Sequence, residues 1–437
     1  MWRNWSREQS CRPVALEHPR SVAEVVAALD RAAAAGRTVR VAGSGHSFTD
    51  LVPTNGTLLD TGGMDALLDV DRAGGRVRVE AGIRLRALNE RLAEHGLALE
   101  NLGDIDAQTL AGALATGTHG TGGRFPNLSA QVEALELVLA DGRVVELAAD
   151  GDPEALRAAR VSLGALGVVT AVTLRCVPAF SLRGVDEPLP LEPTLDGLDT
   201  LVEGHDHFEL FTFPYSPLAL TRRSDRVDRP PEPRGRTREY AEDVLVQNHT
   251  LELLCRVGRR SPGSIPRLNR LVGRLAGTRE RIDASYRIFA SPRLVRFSEM
   301  EYALPRAAAA TAVRRVRALV EERRLPVNFP IELRFVAADD AHLSPATRRA
   351  TAYVAAHVYE GMPARGFFGA VEELMVELGA RPHWGKHHFG TAATLRERYP
   401  DWDRFASVRA RLDPEGRFTS AGVERVLGRP ARAGATP

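Results

Sequence analysis

The 437-residue chain carries 58 lysine plus arginine residues against 56 aspartate plus glutamate, a net charge of +2, and 44% of it is hydrophobic. That length exceeds what one compact core usually organises, so two domains, or one elaborate domain with a cap, are expected. Balanced charge argues against a grip on nucleic acid; no apolar run approaches the roughly 18–20 residues of a membrane span; and the dispersed Cys11, Cys176 and Cys255 fit neither a disulfide framework nor a zinc ribbon.

The opening Met1-Trp2-Arg3-Asn4-Trp5-Ser6 has neither apolar core nor cleavage site, which gives a cytoplasmic protein as the expectation. Ser21-Val22-Ala23-Glu24 is a capping-box pattern that opens an alanine-rich helix ending near Gly36. A short strand, Thr38 to Ala42, feeds the loop Gly43-Ser44-Gly45-His46-Ser47-Phe48. Leu67 to Val70 and Arg76 to Glu80 read as a hairpin, and helix Leu85 to His95 stops at Gly96. A second glycine-rich stretch runs from Gly112 to Gly123. Strands Val132 to Ala140 and Arg143 to Ala148 flank the turn pair Asp141-Gly142. The turn Ser162 to Gly167 then leads into the strand Val168 to Val177.

After Pro178 the glycine-rich loops vanish and prolines cluster, so a boundary is placed near Ala179. This divides the chain into residues 1–178, 179–375, a C-terminal segment 376–428 and a disordered tail 429–437. Arg222 to Arg238, with seven arginines and three prolines, reads as a solvated loop. Helix Arg306 to Arg324 precedes the strand Ile331 to Val336, and helix Phe367 to Leu378 precedes the last segment. Hairpins alternating irregularly with helices make the fold α+β rather than a doubly wound parallel sheet.

Of the 58 basic residues, one is lysine: Lys386, in Arg381-Pro382-His383-Trp384-Gly385-Lys386-His387-His388. An ammonium is a compact charge able to lose its proton when desolvated, which guanidinium does not do. Lys386 is therefore a candidate for chemistry. In Glu332-Leu333-Arg334 the outer two side chains project to one face of an apolar strand; a structural ion pair is the plain alternative. His46, in a glycine turn, can serve as base, ligand or nucleophile, or simply as a hydrogen-bonded turn residue. The two glycine loops match neither the dinucleotide fingerprint nor the P-loop. Together with the Ser162 turn, their backbone N–H groups suit one large anionic cofactor lying across several loops. His383 and His387 invite a metal reading, but Pro382 disfavours a helix there, and no metal is expected.

Taken in order, Asn4-Trp5, Ser21 to Val25, Gly43 to Ser47, Asn101-Leu102-Gly103, Ala115 to His119, Ala159 to Gly164, Glu332-Leu333-Arg334 and Arg381 to Lys386 resemble the sugar-1,4-lactone oxidases and the related alditol oxidases. These are flavoproteins of the vanillyl-alcohol-oxidase type. The resemblance spans Trp2 to Leu427 and is weakest between Leu182 and Ser298. It implies an FAD-binding domain of two α+β subdomains under a substrate-binding cap, with FAD held covalently through His46. By the same resemblance, Val41, Ala42, Gly43, Ser44, Gly45, His46, Ser47, Gly103, Thr109, Gly112, Thr116, Gly117, Thr118, His119, Val168 and Val169 would line the cofactor. Glu332, Arg334 and Lys386 would be catalytic, and Asp104, His357 and Tyr359 would meet the substrate. Arg334 would supply fixed positive charge beside the flavin, and Lys386 would hold the reacting oxygen and moderate its proton. The implied reaction oxidises a ring secondary alcohol of a gulono-, galactono- or arabinono-type lactone, passing hydride to flavin N5, with dioxygen as acceptor and hydrogen peroxide as product. Gly103, lacking a Cβ, would leave room for the oxygen. Alditol oxidation, or a lactone dehydrogenase using another acceptor, is the alternative. Asp104 stands where alditol oxidases have a serine, and Tyr359 where they have a smaller residue.

Overall fold

The computed structural model describes residues 1–233, 235, 248–275, 277–291 and 293–429. Near the N-terminus, helix Val22–Ala34 buries Val25, Ala28, Leu29 and Ala32, the i, i+3, i+4, i+7 stripe of an amphipathic helix. That stripe packs with Val39, Leu59 and Phe418 on a three-stranded parallel sheet, in which Thr57–Asp60 lies between Ala15–Glu17 and Val39–Ala42. Ser21 caps the helix by accepting from the Glu24 amide at 3.2 Å. The Glu24 carboxylate accepts from the Arg20 amide instead of closing the box on Ser21.

Both predicted hairpins form and join in one antiparallel sheet. Its order is Val144–Ala148, Val132–Val138, Val168–Arg175, Arg76–Glu80 and Leu67–Asp71. The glycine-rich stretch from Gly112 starts inside a short helix, Leu110–Ala115, rather than as a loop. A helix not anticipated from the sequence, Pro153–Arg160, is capped by Asp152, which accepts from the Ala155 amide at 2.9 Å.

The remaining strands form an eight-stranded antiparallel sheet in the order Arg279–Ala284, Ser181–Pro190, Leu218–Val227, His207–Thr212, Ile331–Val336, Thr351–Tyr359, Phe297–Pro305, Arg381–Pro382. Successive side chains alternate faces. On one face Leu333, Phe335, Val354, Ala356, Met300 and Tyr302 pack under helices Ala309–Glu322 and Arg365–Glu377. Each fully buried leucine or phenylalanine there contributes roughly 1.5–3 kcal/mol. The other face carries Glu209, Glu332, Arg334, His357, Glu299 and Glu301, all buried. A polar face that is buried requires partners, and those partners build the site.

The stretch from Arg222 is not a solvated loop at its start. Arg222 and Arg223 lie in the strand Leu218–Val227 and pair with Asp186 (2.7 Å) and Glu187 (2.6 Å) across the sheet. Counter-charges supplied by a neighbouring strand are invisible in a local reading. Arg234 and Arg236 to Arg238 lie outside the described residues, as does the tail beyond Arg429. No helix among the described residues is long and apolar enough to cross a membrane.

Candidate active site

Two cavities meet at one histidine. The first, about 1030 Å³, is lined by the strand and loop from Arg40 to Ser47, by Thr109, Gly112 and Thr116, and by the turn Ser162 to Gly164 with Val169. The second, about 900 Å³, is lined by Asp104, Arg293, Glu299, Glu301, Glu332, Arg334, His357, His383 and Lys386. His46, Ser47, Gln108 and Thr116 line both.

The first cavity suits an extended anionic cofactor. Gly43 is required by close approach, because a Cβ there would stand 2.2 Å from Thr109 Oγ1. Ser44 Oγ is buried without a hydrogen-bond partner, a donor waiting for an acceptor. Arg40 threads beneath the loops and donates to the carbonyls of Leu51, Leu163 and Gly164, which ties the Ser162 turn to the first loop. The N-terminal segment clamps the loop from outside: the Trp5 amide donates to the Gly45 carbonyl at 2.7 Å, and the Trp5 indole stacks on His46. Burial, with Lys386 and Arg84 nearby, pulls the His46 imidazole down to about 4, so the ring is neutral.

In the second cavity the strand Ile331–Val336 delivers Glu332 and Arg334 side by side, with Leu333 turned into the core. Arg334 is held on three sides. It pairs with Glu332, with Glu209 at 2.8 Å and with Asp104 at 3.0 Å, and Asp104 also receives Arg293 at 2.7 Å. Lys386 reaches in from the C-terminal segment, which is pinned to the first glycine loop where the Phe48 amide donates to the Gly385 carbonyl at 2.8 Å. Its Nζ lies 2.5 Å from Glu299 and 5.4 Å from the Phe48 ring centre. His357 donates from Nδ1 to the Pro330 carbonyl at 2.9 Å and turns Nε2 toward Glu299 (3.5 Å) and Glu332 (3.8 Å). His119 stacks on Tyr353 and stands 3.2 Å from Glu301.

These contacts sort the protons. Burial pushes Glu332 up, and the Asp104 and Glu209 carboxylates add to this against Arg334, leaving it at about 7. Burial also works against the anions of Asp104 and Glu299, but cations prevail. Arg334 and Arg293 hold Asp104 well below the usual carboxylate range, and Lys386 with His357 brings Glu299 down to about 2. Lys386 corrects the expectation of a readily lost proton. Desolvation favours the neutral amine, yet Glu299 and Glu301 outweigh it and lift the pKa above the ordinary lysine value. Glu332, rather than Lys386, is brought into the neutral range, beside His357, which despite burial its carboxylate neighbours also raise.

Most residues named from the sequence come together here. Val41 to Ser47, Thr109, Gly112, Thr116 and Val169 line the first cavity; Gly103, Asp104, Thr116, Thr118, His119, Glu332, Arg334, His357 and Lys386 line the second. Three do not arrive. Val168 is fully buried in the core beside Val138 and Phe418, and Gly117 faces Pro345 and Val161. Tyr359 shares the face of His357 but lies one pleat further along; its ring joins Phe48, Cys255 and Phe329, and its hydroxyl donates to Glu252 at 2.7 Å. Gly103 reaches the cavity, but a Cβ there would stand 3.1 Å from both the His119 carbonyl and Thr118 Cγ2. The sequence reading missed Arg40, Glu209, Arg293, Glu299 and Glu301. A signal existed for one pair: Glu299-Met300-Glu301 in an apolar run has the same alternation as Glu332-Leu333-Arg334.

Solved structures share this fold. A crystal structure of cholesterol oxidase from B. sterolicum superimposes with a TM-score of 0.82 at 18% identity, covering 98% of this chain and 96% of that one. A solvent-stable cholesterol oxidase gives 0.84 at 19% identity, covering 98% and 97%. Residues 13–148 match the profile described as an FAD binding domain, so the chain is an FAD-dependent oxidoreductase. Residues 172–426 match the profile described as D-arabinono-1,4-lactone oxidase, and the chain belongs to that sugar-lactone oxidase family. Among its relatives are an L-gulono-1,4-lactone dehydrogenase of Mycobacterium tuberculosis (51% identical, covering 98% of this chain and 99% of that protein) and the L-gulonolactone oxidase of Bos taurus (34%, 98% and 98%).

Proposed function

We propose that the protein oxidises a ring secondary alcohol of a sugar-1,4-lactone, with FAD lying along the first cavity and the carbohydrate in the second. The observation that carries this reading is the convergence of Glu332, Arg334 and Lys386, from two distant segments, on a cavity that meets the glycine-loop cavity at His46. FAD, when bound, supplies a two-electron acceptor for the substrate C–H bond. The residues supply the rest. Glu332, with a pKa near 7, takes the hydroxyl proton. Lys386, kept as an ammonium, donates to the reacting oxygen and stabilises charge developing on it. Arg334, charged and held on three sides, fixes a guanidinium in the wall of the second cavity. His46, neutral and at the junction, has the free lone pair that a covalent bond to the flavin requires.

Asp104 supports a lactone over an alditol. It is engaged by two arginines and so is not free to hold a polyol hydroxyl as serine would. Asp104→Ser is expected to loosen Arg334 rather than to create a polyol oxidase. The variant should lose about 3 kcal/mol of stability, the scale of opening a buried ion pair, and its rate on lactones should fall while polyols stay inert. A thermal midpoint equal to that of the parent, or new activity on xylitol, would remove this assignment.

Gly103 lines the second cavity but packs closely in the direction a Cβ would take, so it does not by itself select dioxygen. With a 51%-identical relative named as a dehydrogenase, an acceptor other than oxygen is the better reading. The test is one preparation. Acid-denatured protein should give a yellow pellet if His46 holds FAD covalently, and lactones should reduce a dye faster than they yield peroxide. A colourless pellet discards the covalent link; peroxide formed as fast as dye is reduced restores the oxidase; inertness toward all lactones ends the proposal.

A further inference from the structure

Glu299 lies in the strand Phe297–Pro305 and is 4% exposed. One of its carboxylate oxygens is 2.5 Å from Lys386 Nζ, and the other is 3.5 Å from His357 Nε2. The same strand also holds the lysine segment through its backbone. The Glu299 carbonyl accepts from the His387 amide, and the Glu301 carbonyl from the His383 amide, both at 2.9 Å. In the sheet register Glu299 stands directly opposite His357.

We infer that Glu299 is a positioning residue: it locks the Lys386 ammonium and the His357 ring into one unit facing the carbohydrate. The inference rests on the reading of Lys386 as the group that meets the substrate oxygen. Geometry requires such a bridge. Because a carbonyl only accepts, His357 Nδ1 must carry a hydrogen toward Pro330, so the neutral ring would turn a lone pair at two carboxylates, Glu299 and Glu332. A proton must therefore reside on His357 Nε2 or on Glu332. The groups around this centre are otherwise spoken for. Glu301 is engaged by His119, Arg334 by Glu209, Glu332 and Asp104, and Arg293 by Asp104; the rings of Phe297 and Phe329 close the other sides of His357. Glu299 alone among these touches both the ammonium and the imidazole. A buried ammonium without its counter-ion would give up its proton or its place.

The single lysine makes the test direct. Holoenzyme grown on lysine labelled with ¹³C at Cε gives one side-chain line, whose pH titration belongs to Lys386 and needs no substrate. In the parent this line should stay in its ammonium position up to at least the ordinary lysine pKa of 10.5. In Glu299→Gln, which keeps size and removes charge, its midpoint should move down by a pH unit or more, and kcat should fall roughly 100-fold through lost alignment. Glu299→Asp should restore the high midpoint and part of kcat. An unshifted line in folded Glu299→Gln overturns the inference. If Glu299→Gln does not fold, the double variant Glu299→Gln/Lys386→Met removes both charges. Its recovery as a flavin-binding protein supports the pairing, and its failure to recover rejects it. A parent inert on every lactone but with a high midpoint that drops in Glu299→Gln would keep the positioning role and remove the lactone reading.

Discussion

Lys386→Arg is expected to fold, to retain FAD, and to lose turnover by roughly 100- to 1000-fold, the scale of removing one aimed donor from a transition state. The substitution keeps the positive charge, so Glu299 remains paired and no buried anion is left alone. The first cavity is lined by other residues and is not disturbed. What changes is shape. A guanidinium is a planar fork, larger than the ammonium that lies between Glu299 and Phe48, so it would intrude on the second cavity and aim its donors differently. Charge alone therefore does not rescue the reaction. Flavin absorbance and steady-state kcat on the best lactone measure the two halves of this expectation. A variant with normal kcat would show that Lys386 does not touch the reacting oxygen.

The second large effect belongs to Glu332. Its carboxyl has a raised pKa of about 7, and only the ionised form accepts a proton, so kcat/KM should rise with pH through about 7 and level off above. Lys386 is held above its ordinary 10.5, so no falling limb from its deprotonation is expected below that pH. Glu332→Gln should abolish the rising limb and lower kcat by roughly 100- to 10,000-fold, the range for a general base. Glu209 and Asp104 still hold Arg334 in that variant, so the fold should survive. Persistence of the limb near neutrality in Glu332→Gln would move the proton acceptor elsewhere, with His357, 3.8 Å away, the next group to test.

Several features were legible without any structure because they are local. The apolar alternation of Ile331 to Val336 places Glu332 and Arg334 on one face with Leu333 opposite, and the sheet realises that parity. The glycine loops from Gly43 and Gly112 suggest backbone N–H groups for one large anionic cofactor, and Gly43 to Ser47, Gly112, Ala115 and Thr116 do line one cavity with the Ser162 turn. The solitary lysine marked a group whose chemistry arginine does not replace, and Lys386 lines the second cavity. Parity also has a limit. Tyr359 has the same parity as His357, yet two residues of strand carry it about 7 Å further, out of the cavity and into the cluster around Phe48.

What only the tertiary structure decided is the electrostatics. Glu299 meets Lys386 across 87 positions of chain, and Asp104 meets Arg334 across 230. A pKa is a sum over every charge near a group and over the solvent it has lost, and neither quantity is written in its neighbours along the chain. That is why sequence could nominate Lys386 but assigned the mobile proton to it, while the folded arrangement keeps that ammonium charged and brings Glu332, beside His357, into the neutral range.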